Sequence, residues 1–308
     1  MRKLIVFSMI LVLVCLSGCT FSDPRFSGTP PTPDTDPVFA TEVRKSAEEI
    51  QTAWSAISGL VEHQPDESKW AAMVQTLESQ WEVMVGPDPL NRIRAVNVSV
   101  GEPFRLDFET TMTSAQTALT AAVDAHTERV KVSTGLAAAL WASLTASLTQ
   151  IQEGLTNSYG EAVPMDPTVT IQIPTEAEAI AELIGRYDEA VFSLQAGLGF
   201  LGQGTDRDQV YRTFATFQRD WEFLIGTALD LGITPPKSPG AYALPAGRDA
   251  TAVRALLVTS QHSVVEACLV WVATSEDAGR SLPFFIRAAT TATSAGIGFA
   301  VWPGWPDA

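Results

Sequence analysis

Residues 175–198 read TEAEAIAELIGRYDEAVFSLQAGL, and this stretch decides the fold class. It opens on Thr175-Glu176-Ala177-Glu178, a capping box in which the threonine hydroxyl accepts from the third helical amide and Glu178 reaches back to the backbone of Thr175. From there Ile180, Ile184, Tyr187, Val191, Leu194 and Leu198 recur at alternating steps of four and three, so one stripe of the helix is apolar and the rest is polar. Such a stripe is buried only by packing against other helices. Thr205 to Asp208 repeats the cap with aspartate in the fourth place, ahead of a seam of Val210, Phe214, Phe217, Trp221, Leu224 and Ala228; Gly232, then Pro235 and Pro236, end it. A proline- and glycine-containing loop leads to a helix over Asp249 to Ala273, with Val253, Leu257, Gln261, Val264, Cys268 and Trp271 on its seam, and a weaker one is expected over Pro283 to Val301. Residues 175–308 thus predict a four-helix bundle that ends in a tail rich in tryptophan and proline.

Working back toward the amino terminus, residues 157–174 carry Pro164, Pro167 and Pro174 around the alternating TVTIQI and read as a linker between domains. Before it, residues 39–156 predict a first bundle. Its seams are Val43, Ala47, Ile50, Trp54, Ile57 and Val61; then Trp70, Met73, Leu77, Trp81 and Met84, stopped by GPDP at 86–89; then Phe108, Met112, Ala115, Leu119, Ala122, His126 and Val130; then Leu140, Leu144, Leu148, Ile151 and Leu155. Ser133-Thr134-Gly135 is the expected break between the last two, without which they would form one helix of unusual length. NRIRAVNVSVGEP at 91–103 reads as an extended connection. The predicted fold is all-α: two tandem four-helix bundles.

The first nineteen residues, MRKLIVFSMILVLVCLSGC, combine a basic start at Arg2 and Lys3 with an apolar run from Leu4 to Leu16. A run of this length falls short of the roughly 20 residues a spanning helix needs, so residues 1–18 read as a cleavable export signal. LSGC at 16–19 looks like a bacterial lipobox, which makes Cys19 the site of diacylglyceryl attachment. Residues 19–38, with five prolines between Thr20 and Val38, read as the lipidated cysteine and a flexible stalk. The formal net charge of −15 becomes −17 once Arg2 and Lys3 leave with the signal. So acidic a body repels phosphate backbones and anionic headgroups, which excludes nucleic acid as a partner and leaves the lipid as the membrane contact. With Cys15 discarded and Cys19 lipidated, Cys268 has no partner for an intramolecular disulfide, and its setting in ACLVWV marks it as a core residue.

Taken with the two bundles, LSGC, the loop ITPPKSPGAYALP at 233–245 and WPGWP at 302–306 resemble actinobacterial lipoproteins with ferritin-like domains of unknown function. The C-terminal half is the main match and the first bundle a weaker tandem copy. The resemblance implies a four-helix bundle at the cell envelope and carries no established activity.

A working di-metal centre of the ferritin-like kind needs glutamates from two helices and a Glu-x-x-His from each of the other two. The histidines here are His63, His126 and His262, and the residues three before them are Leu60, Val123 and Thr259, so the pattern is missing. The remaining metal candidate is His262 with Glu266, one turn apart on a helix face, joined by Glu189 or Asp220; the competing reading is a solvated pair beside the seam. His126 lies on a seam, where a buried neutral imidazole bonded to a hydroxyl or carboxylate is the ordinary outcome. Gly197 to Gly202 (GLGFLG) has the letters of a dinucleotide fingerprint but follows a helical seam, where that motif has no amides to offer a pyrophosphate. Trp54, Trp70, Trp81 and Trp221 stand at helical spacing among aliphatics and read as core. No catalytic motif of the hydrolase, zinc-protease, dithiol or nucleotide-loop kinds occurs.

These readings converge on a lipoprotein anchored to the outer face of the plasma membrane, with no catalytic residues and no cofactor, acting as a binding or scaffolding module for an envelope protein partner. The alternatives are a divergent ferritin-like metal-binding or redox protein and a carrier of an apolar small molecule.

Overall fold

The structure, a computed structural model, describes residues 37–61, 67–86, 111–156, 162–163, 171–244, 247–293 and 299–305. The export signal, Cys19 and the stalk up to residue 36 lie outside the described residues, as do His63, Phe108, most of the 157–174 linker and the connection at 91–103. Among the described residues the fold is all-α. Its helices are α1 (Pro37–Val61), α2 (Glu67–Val85), α3 (Met112–Lys131), α4 (Gly135–Gly154), α5 (Glu176–Leu198), α6 (Thr205–Asp230), α7 (Ala250–Thr274) and α8 (Ala278–Ala292). Two two-residue strands, β1 (Ala162–Val163) and β2 (Phe299–Ala300), pair in parallel.

Local chemistry sets most of the helix ends. Pro37 opens α1, where a missing amide costs no hydrogen bond. Thr111 caps α3, its hydroxyl accepting from Ser114 N at 3.2 Å while the Ser114 hydroxyl accepts from Thr111 N at 2.9 Å. Between α3 and α4 the chain breaks at Val132–Thr134, and Gly135 at φ +61° turns it into a new axis, so two helices form rather than one. The α5 capping box is present, with Thr175 N donating to Glu178 Oε2 at 2.9 Å. Asp249 caps α7 by accepting from Ala252 N at 2.9 Å.

Two helix starts differ from the sequence reading. Thr205 is the first residue of α6, not its cap; Gly204 holds the cap position, so the Thr205–Asp208 cap does not form. The last helix begins at Ala278, five residues before Pro283, and ends at Ala292 rather than Val301. Proline was expected at the first helical position, yet it sits in the second turn, where it removes a single backbone bond. The remainder of the expected helix is the β2 strand and a buried tail, with 294–298 outside the described residues.

The described residues from 37 onward pack as one compact unit with a continuous apolar core. Helix α1 packs on α2 and α3, and α3 on α4; α5 packs on α6 and α7, and α7 on α8. The joint between the two sets is α4, which also packs against α7 and α8. It can do so because it is buried on nearly all sides: beside Leu140, Leu144, Leu148 and Ile151 it buries Ala138, Ala142, Ser143, Ala146 and Ser147. Small side chains let backbones approach, and an all-round buried helix needs no polar face. Helix α7 is long and apolar enough to cross a bilayer, but here its apolar surface lies against α4, α5 and α8.

The C-terminal tail is inserted into this joint. Trp302 and Trp305 are each 1% exposed. Gln80 Nε2 donates to Val301 O and to Ser147 Oγ, both at 2.7 Å, and the Ser143 hydroxyl donates to Pro303 O at 2.9 Å. Gly304 lies between the tryptophans at φ +79°, with Leu269 Cβ 2.7 Å from where a Cβ would stand. No side chain fits there, and an L-residue disfavours that backbone geometry. The WPGWP motif thus ties helices from both halves of the chain to one another.

Candidate functional site

Glu42, Ser46 and Glu49 are spaced four and three apart on α1, and Ala122, His126 and Arg129 have the same spacing on α3. Each triplet forms one helix face, and the two faces meet. Arg129 is 6% exposed and spends its guanidinium on both carboxylates: Nε donates to Glu42 Oε2 at 2.8 Å, Nη1 to Glu49 Oε2 at 2.6 Å and Nη2 to Glu49 Oε1 at 2.9 Å. The second contact is the bidentate fork that arginine, not lysine, can make. The guanidinium also lies 5.6 Å from the Trp141 ring centre on α4. Lys45 donates to the other Glu42 oxygen at 2.8 Å. That bond, opposed by partial burial and helped by Arg129, holds the Glu42 carboxyl below its ordinary pKa.

Beneath this pair of ion bridges His126 is fully buried. Its Nδ1–H donates to Ala122 O at 2.7 Å, so Nε2 is the acceptor and takes the Ser46 hydroxyl proton at 2.7 Å. Burial first, and the nearby Arg129 charge, push its pKa down to about 3. Glu49 Oε2 stands 3.7 Å from Nδ1, but a neutral ring makes this a contact rather than an ion pair. A serine hydroxyl bonded to an imidazole has the outline of a nucleophile and its base. Here both residues have no exposed surface, and the group orienting the ring is a backbone carbonyl. In this arrangement no substrate carbonyl reaches Ser46; the pair satisfies two polar groups inside a core.

Protonation gives the site a pH dependence. A histidine whose folded pKa is depressed contributes stability above its unfolded pKa of 6.5, and loses it as the pH falls from there toward 3. Between pH 6.5 and 4.5 the expected loss is about 2–3 kcal/mol, at ~1.4 kcal/mol per pH unit for one proton. Below that range Glu42, whose folded pKa is also depressed, adds to it. Urea unfolding midpoints at several pH values should show this slope, and His126→Gln should flatten it; parallel curves for the two proteins would contradict the assignment.

Above the network lies an open cavity of about 750 Å³. Its lower wall is Glu42, Glu49 and Arg129, its apolar side is Phe39, Ala137 and Trp141, and its mouth carries Val38 and Val132, which are 69% and 86% exposed. The volume lies in the range of small-molecule sites. Phe39 and Trp141 pack with ring centres 5.8 Å apart.

The interior of α5–α8 is differently filled. Tyr187 is buried against Phe217 and Phe284, with its hydroxyl beside the Cys268 thiol but without a well-formed hydrogen bond. Burial pushes the Cys268 pKa up to about 12, so at neutral pH it is an unreactive thiol. Asp220 is 3% exposed and held by Arg287, at 3.2 Å from Nε and 3.0 Å from Nη2. Gln261 is buried on its seam, as the spacing predicts. His262 and Glu266 both line a cavity of about 20 Å³, together with Gln150 and tail residues Pro303 and Gly304. Neither neighbour named for them from sequence joins them: Glu189 lines a separate groove with Ser263, and Asp220 is bound to Arg287. Among the described residues no three of His, Cys, Asp and Glu meet in a group that could hold a metal ion. At GLGFLG, α5 ends at Leu198, and Arg207 Nη1 donates to Leu198 O and to Leu201 O. That is the negative end of a helix dipole met by a cation, the opposite of an anion site.

Sequence reasoning missed the Glu42–Arg129–Glu49 network. The signal was there: Arg129 and the two glutamates flank the seam positions of facing helices, and charges so placed must find each other or be exposed. The chain matches no family model, no curated protein and no solved structure.

Proposed function

We propose that this chain is an envelope lipoprotein, anchored through Cys19 to the outer face of the plasma membrane, whose helical body binds rather than transforms its partner. In its finer form the proposal takes the body as two tandem ferritin-like four-helix bundles, joined through α4 and the C-terminal tail. The observation that carries the binding reading is the 750 Å³ cavity bounded by α1, α3 and α4. Glu42, Glu49 and Arg129 in its wall are committed to one another, and the Ser46–His126 pair is sealed beneath them. Three charges bridged in this way give a fixed recognition surface rather than an acid or base poised over a substrate. The cavity equally favours a second reading, a carrier of a small molecule.

The test is photo-crosslinking in intact cells with Cys19 in place. A photoreactive residue at Val132, at the cavity mouth, is expected to give a discrete adduct, whereas one at Tyr211, 59% exposed on α6, is not. No adduct at 132, or the same adducts at both positions, would contradict the reading.

A further inference from the structure

We infer that the cavity bounded by α1, α3 and α4 selects an organic ammonium group carried on a short apolar body. The inference rests on the reading of this cavity as the working site and adds the chemistry of its ligand. Three carboxylates line it, Glu42, Glu49 and Glu128, against two bases, Lys45 and Arg129, and Glu128 has its own cation in Lys131, outside the lining, with Nζ 2.5 Å from Oε1. The bases are also the less available side. Arg129 is buried and makes three donor contacts to Glu42 and Glu49, so an incoming anion finds it occupied and meets the carboxylates first. Among the described residues Lys45 is bonded to Glu42, in a pair exposed enough to be worth little and easily displaced.

A ligand cation can therefore take the place of the Lys45 ammonium against Glu42, leaving the half-exposed Lys45 side chain to extend into water. The field of a chain with formal charge −15 points the same way, concentrating cations and repelling anions at the cavity mouth. The apolar part of the ligand has its own surface in Phe39 and the exposed Val38 and Val132. An aromatic face beside carboxylates is a setting in which an alkylammonium is favoured over a hydrated metal ion, because its charge is spread over methyl groups that prefer to leave water.

The experiment is calorimetric titration of the full chain, in a neutral sugar detergent, with butyltrimethylammonium and with butyl sulfate. Saturable one-to-one binding of the ammonium alone is expected. Lys45→Gln, which removes the competing charge from an exposed position, should tighten it about fivefold, and Glu42→Gln, which keeps an oxygen for Arg129, should weaken it about tenfold. Titration with dihexanoylphosphatidylcholine then separates two sources of the same chemistry: affinity at or above that of the free ammonium assigns a lipid headgroup, and lower affinity a free amine. Equal or tighter binding of butyl sulfate would overturn the ammonium assignment while leaving the cavity a binding site. Binding of a lysine-containing peptide with no binding of the small ammonium would overturn it in favour of a protein partner. Silence from every probe up to about 10 mM, the weak limit for ligands this small, would overturn both the ligand class and the small-molecule use of the cavity.

Discussion

Trp302→Ala is expected to lower the unfolding free energy by about 3–5 kcal/mol, the cost of emptying a fully buried tryptophan site. The residue lies 1% exposed between two backbone carbonyls that are themselves held, Val301 O by Gln80 and Pro303 O by Ser143. Collapse into the void is opposed by those anchors, so the upper part of the range applies. The loss should be shared across the chain: because the tail touches α4 and α7, amide exchange should quicken in both helix sets and not only in the last one. Gly304→Ala gives an independent version of the same test, since the added Cβ would stand 2.7 Å from Leu269 Cβ at a φ of +79°. Its expected cost is about 2–4 kcal/mol, from overpacking together with left-handed backbone strain. Thermal unfolding of both variants checks the claim, and a tail variant as stable as the parent would show that WPGWP does not hold the halves together.

Arg129→Met is the second large effect, expected at about 2–4 kcal/mol. Removing one partner of a fully buried ion pair costs about 3–5 kcal/mol, and the smaller figure here reflects the remaining exposure of Glu42 and Glu49, near 30% for each side chain. What destabilises the variant is less the lost attraction than the two carboxylates left facing each other without their shared cation. Two further substitutions separate these effects. Arg129→Lys should recover only part of the loss, since an ammonium cannot make the fork to Glu49 and reach Glu42 together. Adding Glu49→Gln to Arg129→Met should restore stability, a non-additivity that a merely steric role for Arg129 would not produce. Denaturant midpoints of the parent, these three variants and Glu49→Gln alone decide it.

Periodicity made the helices legible because apolar residues have little choice of where to lie. Val43, Ile50, Met73, Leu119, Ile184, Phe217, Leu257 and Cys268 are all buried, as their spacing requires. The capping box at Thr175 was equally readable, because its side-chain oxygen has one set of amides to meet. Legibility failed where chemistry is ambivalent. Alanine and serine serve a surface as well as a tight interface, so the second buried face of α4, at Ala138, Ala142, Ala146 and Ser147, left no mark in the hydrophobic pattern. The end of the last helix failed for the opposite reason: the apolar residues up to Val301 fit a helix, but the helix stops at Ala292 and the chain goes on to a strand and a buried tail that contacts with Gln80 and Ser143 hold in place. His126 was placed on its seam correctly, and the structure supplies its hydroxyl partner in Ser46, 80 residues away. The Arg129 bridges to Glu42 and Glu49, and the cavity that Gln150 shares with His262 and Glu266, are likewise products of helix pairing that no local window contains.

The claim on which the proposed function stands is that this body works from a lipid anchor at Cys19, and the intact mass of the chain recovered from washed cell membranes tests it most directly. The account predicts a polypeptide beginning at residue 19, heavier than its sequence by a diacylglyceryl group with or without one further acyl chain, and absent from the membranes when Cys19→Ala replaces it. A membrane-bound chain that begins at residue 19 without lipid, or one that stays bound and unchanged after that substitution, would contradict it.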